Sequence, residues 1–293
     1  MMSTVHFTAM VTLALSISVL GSTHARAEAL APYKDDLFAY QNILERADDG
    51  AFLKVDYQEK RDIDKRDEEP ERRVRARYVS LSVRRHQVME TLALGDRQLD
   101  VFRVGDIEKA AFAVIFIHGR GGDRRLGAND FSFGGNFNRL KNLAVANRGV
   151  YLAPSVRSFD QDGLADLAGL VAMLANRSPE TRIILSCASM GSILCWSAAR
   201  EPKIVDHLAG MMVMGGVSDP GYGSTPAYDR GLPLFLSHGS RDSVYAAGDQ
   251  MDFYKNLAAA KYPVRFVLFE TGSHGTPVRM TDWRDSLNWL LSR

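Results

Sequence analysis

Residues 186–192 read SCASMGS and follow directly on the apolar residues 183–185, which are Ile-Ile-Leu. A short apolar run rich in branched side chains is typical of a buried strand. Ser189 then lies among small residues, with Gly191 two positions further on. Small residues here indicate a tight turn from a strand into a helix, and an ordinary turn of this kind is common. Whether Ser189 has a function therefore depends on whether other parts of the chain supply catalytic partners for it.

The overall composition favours one large core and argues against nucleic acid as a partner. The chain has 293 residues, of which 46% are hydrophobic. A chain of this length and composition can bury a single large α/β core. The 36 Lys and Arg residues nearly balance the 35 Asp and Glu residues. No net field of one sign is therefore expected to attract nucleic acid or an anionic membrane.

The first 27 residues differ in kind from the rest and predict a signal peptide. Residues 7–20 form an uncharged apolar run, and residues 25–27 (ARA) match a signal-peptidase site. We expect cleavage after residue 27 and a periplasmic or secreted protein. A membrane anchor is the alternative, but the run is shorter than the roughly 20 residues that a spanning helix needs, so stable insertion is not expected. Arg26 is the only Asp, Glu, Lys or Arg in this segment, and its loss leaves 35 basic and 35 acidic residues.

Two cysteines, Cys187 and Cys195, stand on either side of Ser189. Export permits a disulfide between them, and a strand end facing the next helix lies near the limit of about 7 Å between Cα atoms. The spacing leaves the bridge undecided. No Cys or His pair has the spacing of a zinc site and no HExxH motif occurs, so neither a metal nor another cofactor is expected.

Residues 28–87 form a charged N-terminal extension ahead of a catalytic domain at 88–293. Between Lys54 and Arg75, acidic and basic residues alternate so densely that no buried face can be drawn. The pattern predicts a solvated helix or a wrapping arm, and binding of a partner is the alternative.

From Val88 onward the pattern is that of an ordered α/β domain. Two short runs joined by Gly95-Asp96-Arg97 suggest a β-hairpin, and the apolar run at 111–117 is typical of a strand buried on both faces. Apolar runs then alternate with helical patterns, which predicts an α/β fold with a mostly parallel sheet and helices on both faces. The expected strands are 88–94, 98–104, 111–117, 182–185, 208–214, 232–236 and 264–269, and the expected helices include 164–174, a helix from 193 onward, 251–260 and 283–291. The short connection between 214 and 232 leaves room for only a minimal lid.

Three polar residues follow three of these strands, at the edge of the sheet where active sites of this architecture lie. Ser189, in CASMG, has the strand-to-helix context of a nucleophile elbow, G-x-S-x-G, with Cys187 in place of the first glycine. Asp242 follows the strand at 232–236, and His274 follows the strand at 264–269. A serine nucleophile needs an adjacent base that a third group holds in place. The three together predict a catalytic triad.

Ordinary structural roles are the alternatives for the two partners of Ser189. Asp242 could instead cap a helix or a turn, and His274 could be a loop imidazole. Asp219, which follows the strand at 208–214, is the reserve acid. The order serine, aspartate, histidine along the chain favours the triad.

The loop HGRGGD at 118–123 follows the buried strand at 111–117. Acyl transfer needs two backbone N–H donors for the oxyanion, one from the residue after the nucleophile and one from this loop. These would be Met190 and Arg120. A nucleotide-binding G-x-G-x-x-G beginning at Gly119 fails because Arg124 occupies the last glycine position. For the phenylalanines between 120 and 138, an acyl pocket and core packing both remain open.

The stretches HGRGGD, CASMG, HGSRDSV and GSHG together resemble the α/β-hydrolase fold family, nearest to its carboxylesterase, acyl-protein thioesterase and dienelactone-hydrolase-like branch. The resemblance covers about residues 88–293. It implies a Ser189, Asp242, His274 triad and a serine hydrolase that acts on small-molecule esters or thioesters through an acyl-enzyme. A peptidase or acyltransferase on the same fold, and a non-catalytic binding protein that retains the fold, are the alternatives. Nothing in the sequence indicates an oligomeric state.

Overall fold

The computed structural model describes Met2, residues 29–108 and residues 110–293. The predicted signal peptide lies outside these residues, apart from Met2. None of the helices described is both long and apolar enough to cross a membrane.

A ten-stranded sheet organises the described residues, and the strands at its centre are parallel. A separate two-stranded hairpin, β3 and β4, lies outside it. The strands are β1 (Ile43–Ala47), β2 (Phe52–Asp56), β3 (Asp67–Glu69), β4 (Arg73–Val74), β5 (Gln87–Leu94), β6 (Arg97–Val104), β7 (Phe112–Ile117), β8 (Gly149–Pro154), β9 (Arg182–Ala188), β10 (Leu208–Met214), β11 (Leu234–Gly239) and β12 (Val264–Glu270). Their order across the sheet is β1-β2-β12-β11-β10-β9-β7-β8-β6-β5. The strands from β2 through β8 in that order are parallel. At the edges, β1 pairs antiparallel with β2, β6 with β8, and β5 with β6.

Helices cover both faces of this sheet. They are α1 (Asp35–Phe38), α2 (Arg124–Ala128), α3 (Asn136–Ala146), α4 (Gln161–Arg177), α5 (Ser192–Ala198), α6 (Pro202–Val205), α7 (Pro226–Asp229), α8 (Ala247–Ala259), α9 (Thr276–Met280) and α10 (Trp283–Leu291). One core packs the sheet against α4, α5, α6 and α8, and a second packs it against α3, α9 and α10. The expected α/β fold with a mostly parallel sheet is confirmed.

Strand β7 shows why the sheet lies at the centre of the molecule. All six of its residues are buried. Ala113, Ile115 and Ile117 belong to one core, and Phe112, Val114 and Phe116 belong to the other, because successive side chains of a strand point to opposite faces. Burying a large apolar side chain contributes about 1.5–3 kcal/mol, so β7 anchors both layers of helices.

Helix α4 illustrates how local sequence sets the helix ends. The carboxylate of Asp160 accepts hydrogen bonds from the backbone N–H groups of Asp162 and Gly163 at the first turn. An N-cap of this type is worth about 1 kcal/mol. Leu164, which follows directly, is buried with the rest of the apolar stripe that the spacing predicted.

The charged extension is part of the same structure. Strand β2 pairs in parallel with β12, and β1 pairs with β2, so residues 43–56 lengthen the sheet by two strands. Further along, Asp62, Arg66 and Asp67 are each 5% exposed or less. Val55, Tyr57, Ile63 and Val74 are buried as well, so the expectation that no buried face exists between Lys54 and Arg75 is wrong. Asp67 pairs with the distant Arg279 and Arg66 donates to the backbone oxygen of the distant Gly134, whereas Asp62 pairs with its neighbour Arg61. Charge alternation alone does not reveal the two distant contacts.

Candidate active site

Ser189 lies at a strained turn between β9 and α5. Its backbone φ is +52°, in the left-handed region that a residue with a side chain adopts at a cost of about 1–2 kcal/mol. The turn is tightly packed: a Cβ atom at Gly191 would lie 2.5 Å from the backbone oxygen of His118, and one at Gly119 would lie 2.8 Å from Cβ of Ser189. Glycine is therefore required at both positions. This geometry is that of a nucleophile elbow.

The structure brings Ser189, His274 and Asp242 into direct contact. Nε2 of His274 lies 2.8 Å from Oγ of Ser189, and Nδ1 of His274 lies 2.8 Å from Oδ2 of Asp242. A carboxylate oxygen only accepts, so Nδ1 carries the proton and Nε2 is free to accept the hydroxyl hydrogen of Ser189. Tautomer and geometry together are those needed for proton transfer from the serine.

The burial of the Asp242 and His274 side chains differs in a way that suits this chemistry. The Asp242 side chain is fully buried, whereas that of His274 is 28% exposed. Oδ1 of Asp242 accepts from the backbone N–H groups of Val244 at 2.8 Å and Tyr245 at 3.1 Å. The carboxylate is thus held by the loop that carries it, while the imidazole remains accessible from solvent. The ring of Tyr245 lies edge-on to that of His274, with centroids 5.7 Å apart.

Cys187 and Cys195 form a disulfide, which resolves the question that their spacing left open. Their Cα atoms are 6.2 Å apart, and both residues are fully buried. The bond joins β9 to α5 on either side of Ser189. Where a nucleophile elbow ordinarily has its first glycine, this chain has a covalent link between the strand and the helix.

The loop that follows β7 lies against Ser189, and His118 holds its conformation. Nδ1 of His118 donates to the backbone oxygen of Gly119 at 2.8 Å, and Nε2 accepts from the backbone N–H of Val156 at 3.1 Å. Burial lowers the pKa of His118, consistent with a neutral ring that donates from one nitrogen and accepts at the other. The sequence motif contained this histidine, but no role for it was predicted.

The two predicted oxyanion donors lie on the two sides of the serine. Met190 follows Ser189 directly, and Arg120 follows Gly119, whose Cα packs against the serine. Within the described chain, the backbone N–H of Arg120 donates to no protein acceptor. The role of both amides as oxyanion donors stays a prediction.

Other residues considered from the sequence are placed elsewhere. Asp219, the reserve acid, pairs with Arg200 at 2.7 Å, and the acid beside His274 is Asp242. Phe137 is fully buried and packs edge-on against Phe116, so it belongs to the core. Phe133 is half-buried, and its ring would be 3.7 Å from a Cβ at Gly275, next to His274.

The sequence reasoning missed one residue at the site altogether. His238, in β11, is fully buried and lies with Nε2 3.3 Å from Oδ2 of Asp242. Its spacing of four residues from Asp242, within the same HGSRDSV stretch, is the signal that could have found it.

Solved structures with similar folds include several esterases. A thermostable esterase aligns with a TM-score of 0.57 at 19% identity, over 71% of this chain and 63% of that one. The feruloyl esterase module from Clostridium thermocellum, complexed with sinapinate, gives a TM-score of 0.55 at 16% identity, over 74% of this chain and 92% of the module. A protein of unknown function from Agrobacterium tumefaciens, described as a candidate α/β hydrolase, gives a TM-score of 0.53 at 15% identity. The alignment covers 69% of this chain and 93% of that one.

These similarities establish the fold: the chain has the α/β-hydrolase fold. The aligned part spans less than two thirds of the thermostable esterase. No family model matches the sequence, and no curated protein matches it either.

Proposed function

We propose that the protein is a serine hydrolase that cleaves carboxylic ester or thioester bonds of small molecules through an acyl-enzyme on Ser189. The single observation that carries the proposal is the pair of hydrogen bonds, each 2.8 Å, that link Ser189 to His274 and His274 to Asp242. Nucleophile, base and orienting acid in such contact define a triad by geometry and role.

The reaction follows from these contacts. His274 takes the hydroxyl proton of Ser189 at Nε2 while Oγ attacks the carbonyl carbon of the substrate, and Asp242 stabilises the imidazolium that forms. The imidazolium then protonates the leaving alkoxide or thiolate. A water molecule, deprotonated by His274, attacks the acyl-enzyme and regenerates the serine.

The tetrahedral intermediate carries a negative charge that needs donors close by. In our proposal the backbone N–H groups of Met190 and Arg120 supply them, one from each side of Ser189. Such preorganised donors each contribute on the order of 3–4 kcal/mol of barrier lowering. The strained φ of Ser189 supports this arrangement, because in a nucleophile elbow the N–H of the residue after the serine is an oxyanion donor.

The shape of the site favours small, accessible substrates. Between β10 and β11 the chain forms only a short 3-10 turn and the four-residue helix α7. The esterases among the structural neighbours also support ester substrates. No contact in the described chain favours a peptidase or an acyltransferase.

Labelling and kinetics on the purified protein test this function. We expect a fluorophosphonate to modify Ser189 in the folded protein and short p-nitrophenyl esters to be hydrolysed, with activity highest at short acyl chains. Ser189→Ala should reduce kcat by about 10⁴-fold or more. A folded wild-type protein that forms no adduct, or a Ser189→Ala variant as active as the wild type, would show that the proposed function is wrong.

Export to the periplasm or the medium remains our proposal for the location of the enzyme. The disulfide between Cys187 and Cys195 supports it, because such bonds persist mainly in oxidising compartments. Fractionation and N-terminal sequencing of the natural protein should give a mature chain that begins at Glu28. A cytoplasmic protein that retains Met1 or Met2 contradicts the proposal.

A further inference from the structure

His238 lies next to the triad but takes no part in the steps above. It is the fifth residue of β11, four positions before Asp242, and its side chain is fully buried. A buried imidazole beside a catalytic carboxylate is a group whose contacts need an explanation.

The contacts of His238 determine where its proton is. Nε2 lies 3.1 Å from the backbone oxygen of Tyr245 and 3.3 Å from Oδ2 of Asp242. Both oxygens only accept, so Nε2 carries a hydrogen, which it donates to the oxygen of Tyr245 while Oδ2 of Asp242 lies close to the same nitrogen. Nδ1 is buried and has no hydrogen-bond partner among the residues described. Burying a ring nitrogen without a hydrogen-bond partner destabilises the folded state, which indicates that the N–H on the other side of the ring is needed.

Three hydrogen bonds hold the carboxylate of Asp242 in place. Oδ1 accepts from the backbone N–H groups of Val244 and Tyr245, and Oδ2 accepts from Nδ1 of His274. The N–H of His238 donates to the backbone oxygen of Tyr245, whose own N–H holds Oδ1, and Nε2 of His238 lies 3.3 Å from Oδ2, beside His274. It thereby restrains the one oxygen on which the orientation of the catalytic imidazole depends.

We propose that His238 is a positioning residue: its Nε2–H, bonded to the backbone oxygen of Tyr245 and close to Oδ2 of Asp242, keeps that carboxylate in the place where it orients His274. This inference rests on the proposed hydrolase function and adds a second histidine to the site. Its effect is on catalysis through Asp242, not on substrate binding.

A neutral donor suits this position better than a cation. Asp242 and His274 are the charged or titratable groups that bear on His238, and burial lowers its pKa. A permanent positive charge here would compete with the imidazolium that forms on His274 during the reaction. A neutral N–H fixes the carboxylate and leaves its charge to stabilise that imidazolium.

Three substitutions separate this role from simple packing. His238→Gln places an amide N–H near the position of Nε2, whereas His238→Asn places one near the position of Nδ1, too short to reach Asp242. His238→Leu removes the polar group. Each is compared with the wild type and with Ser189→Ala, using a neutral p-nitrophenyl ester and a thermal melt to establish that the variant is folded.

We expect kcat to fall by about 10- to 100-fold in the Leu and Asn variants, with KM nearly unchanged, because the lost hydrogen bond orients the base and does not touch the substrate. His238→Gln should recover most of the wild-type kcat. Gln no better than Asn, or a folded Leu variant with wild-type kcat, overturns the positioning role alone. A wild type no faster than Ser189→Ala overturns the hydrolase proposal, and the role of His238 with it.

Discussion

The turn at Ser189 and the loop at His274 meet in one site but are held in place differently. The turn is stabilised by neighbouring residues: the disulfide between Cys187 and Cys195 crosses it, and Gly191 packs closely against the end of β7. The loop at His274 depends on residues more than 200 positions earlier. Thr271 donates to the backbone oxygen of Tyr57 at 2.8 Å, and β12 pairs with β2.

Helix α9, which follows His274, is anchored to the same extension. Arg279 donates from Nε and Nη2 to the backbone oxygen of Asp62 and from Nη2 to Oδ1 of Asp67 at 2.7 Å. Both ionised side chains are 5% exposed or less. Oδ2 of Asp67 accepts from the backbone N–H of Glu71, so the buried pair is well satisfied. Ser189 is thus positioned by local covalent and steric constraints, whereas His274 is positioned by a segment distant in the sequence.

Among these contacts, breaking the pair of Arg279 with Asp67, which supports the loop at His274, is expected to lower stability most. Arg279→Met leaves the carboxylate of Asp67 buried without its partner, and removing one member of a buried pair costs about 3–5 kcal/mol. Because α9 carries the loop, the hydrolysis rate should also fall by on the order of 10- to 100-fold. Urea denaturation and ester kinetics measure the two effects.

Arg73→Met is the matched control for that variant. Arg73 pairs with Glu68 at 3.2 Å in the same extension, but the two side chains are 47% and 49% exposed. An exposed pair contributes about 0–1 kcal/mol, so stability and rate should change little. Equal effects of the two substitutions would mean that burial of the Arg279 pair is not what holds the loop.

A smaller loss of stability is expected from removing the disulfide that crosses the turn at Ser189. Replacing both Cys187 and Cys195 with alanine should lower the free energy of unfolding by about 2–3 kcal/mol, the value for a loop of this length in the chain-entropy treatment of disulfides. We expect activity to stay within about tenfold of the wild type, because the glycine contacts that shape the turn remain. Denaturation curves of the double variant, with the wild type measured oxidised and reduced, check this. An unchanged free energy of unfolding would show that the bond does not stabilise the turn.

The smallest effect is expected at Arg120. Its side chain is exposed, and we assign catalysis to its backbone N–H, which Arg120→Ala retains. The rate with a neutral ester should stay within about threefold of the wild type. A loss of several hundredfold would instead make the guanidinium itself part of the catalytic machinery.

Much of the fold was predictable where the signal is local. The apolar run at β7 and the alternation of strands and helices after it identified the sheet, and β10 begins and ends at the residues expected. Strand β2, with the sequence FLKVD, gave no such signal, because it mixes charged and apolar residues and is recognisable only beside β12. Strand β8 is fully buried, but its short run GVYLAP was not recognised in the sequence.

The candidate site divides in the same way. Ser189, Asp242 and His274 were identified from the sequence because each lies in the turn or loop after a strand, and the ends of parallel strands share one edge of a sheet. The disulfide, the contact of His238 with Asp242 and the pairing of Arg279 with Asp67 were decided by the tertiary structure alone. Periodicity and turn residues act over a few neighbours and can be read along the chain, whereas these contacts depend on distances between side chains that only the completed packing brings together.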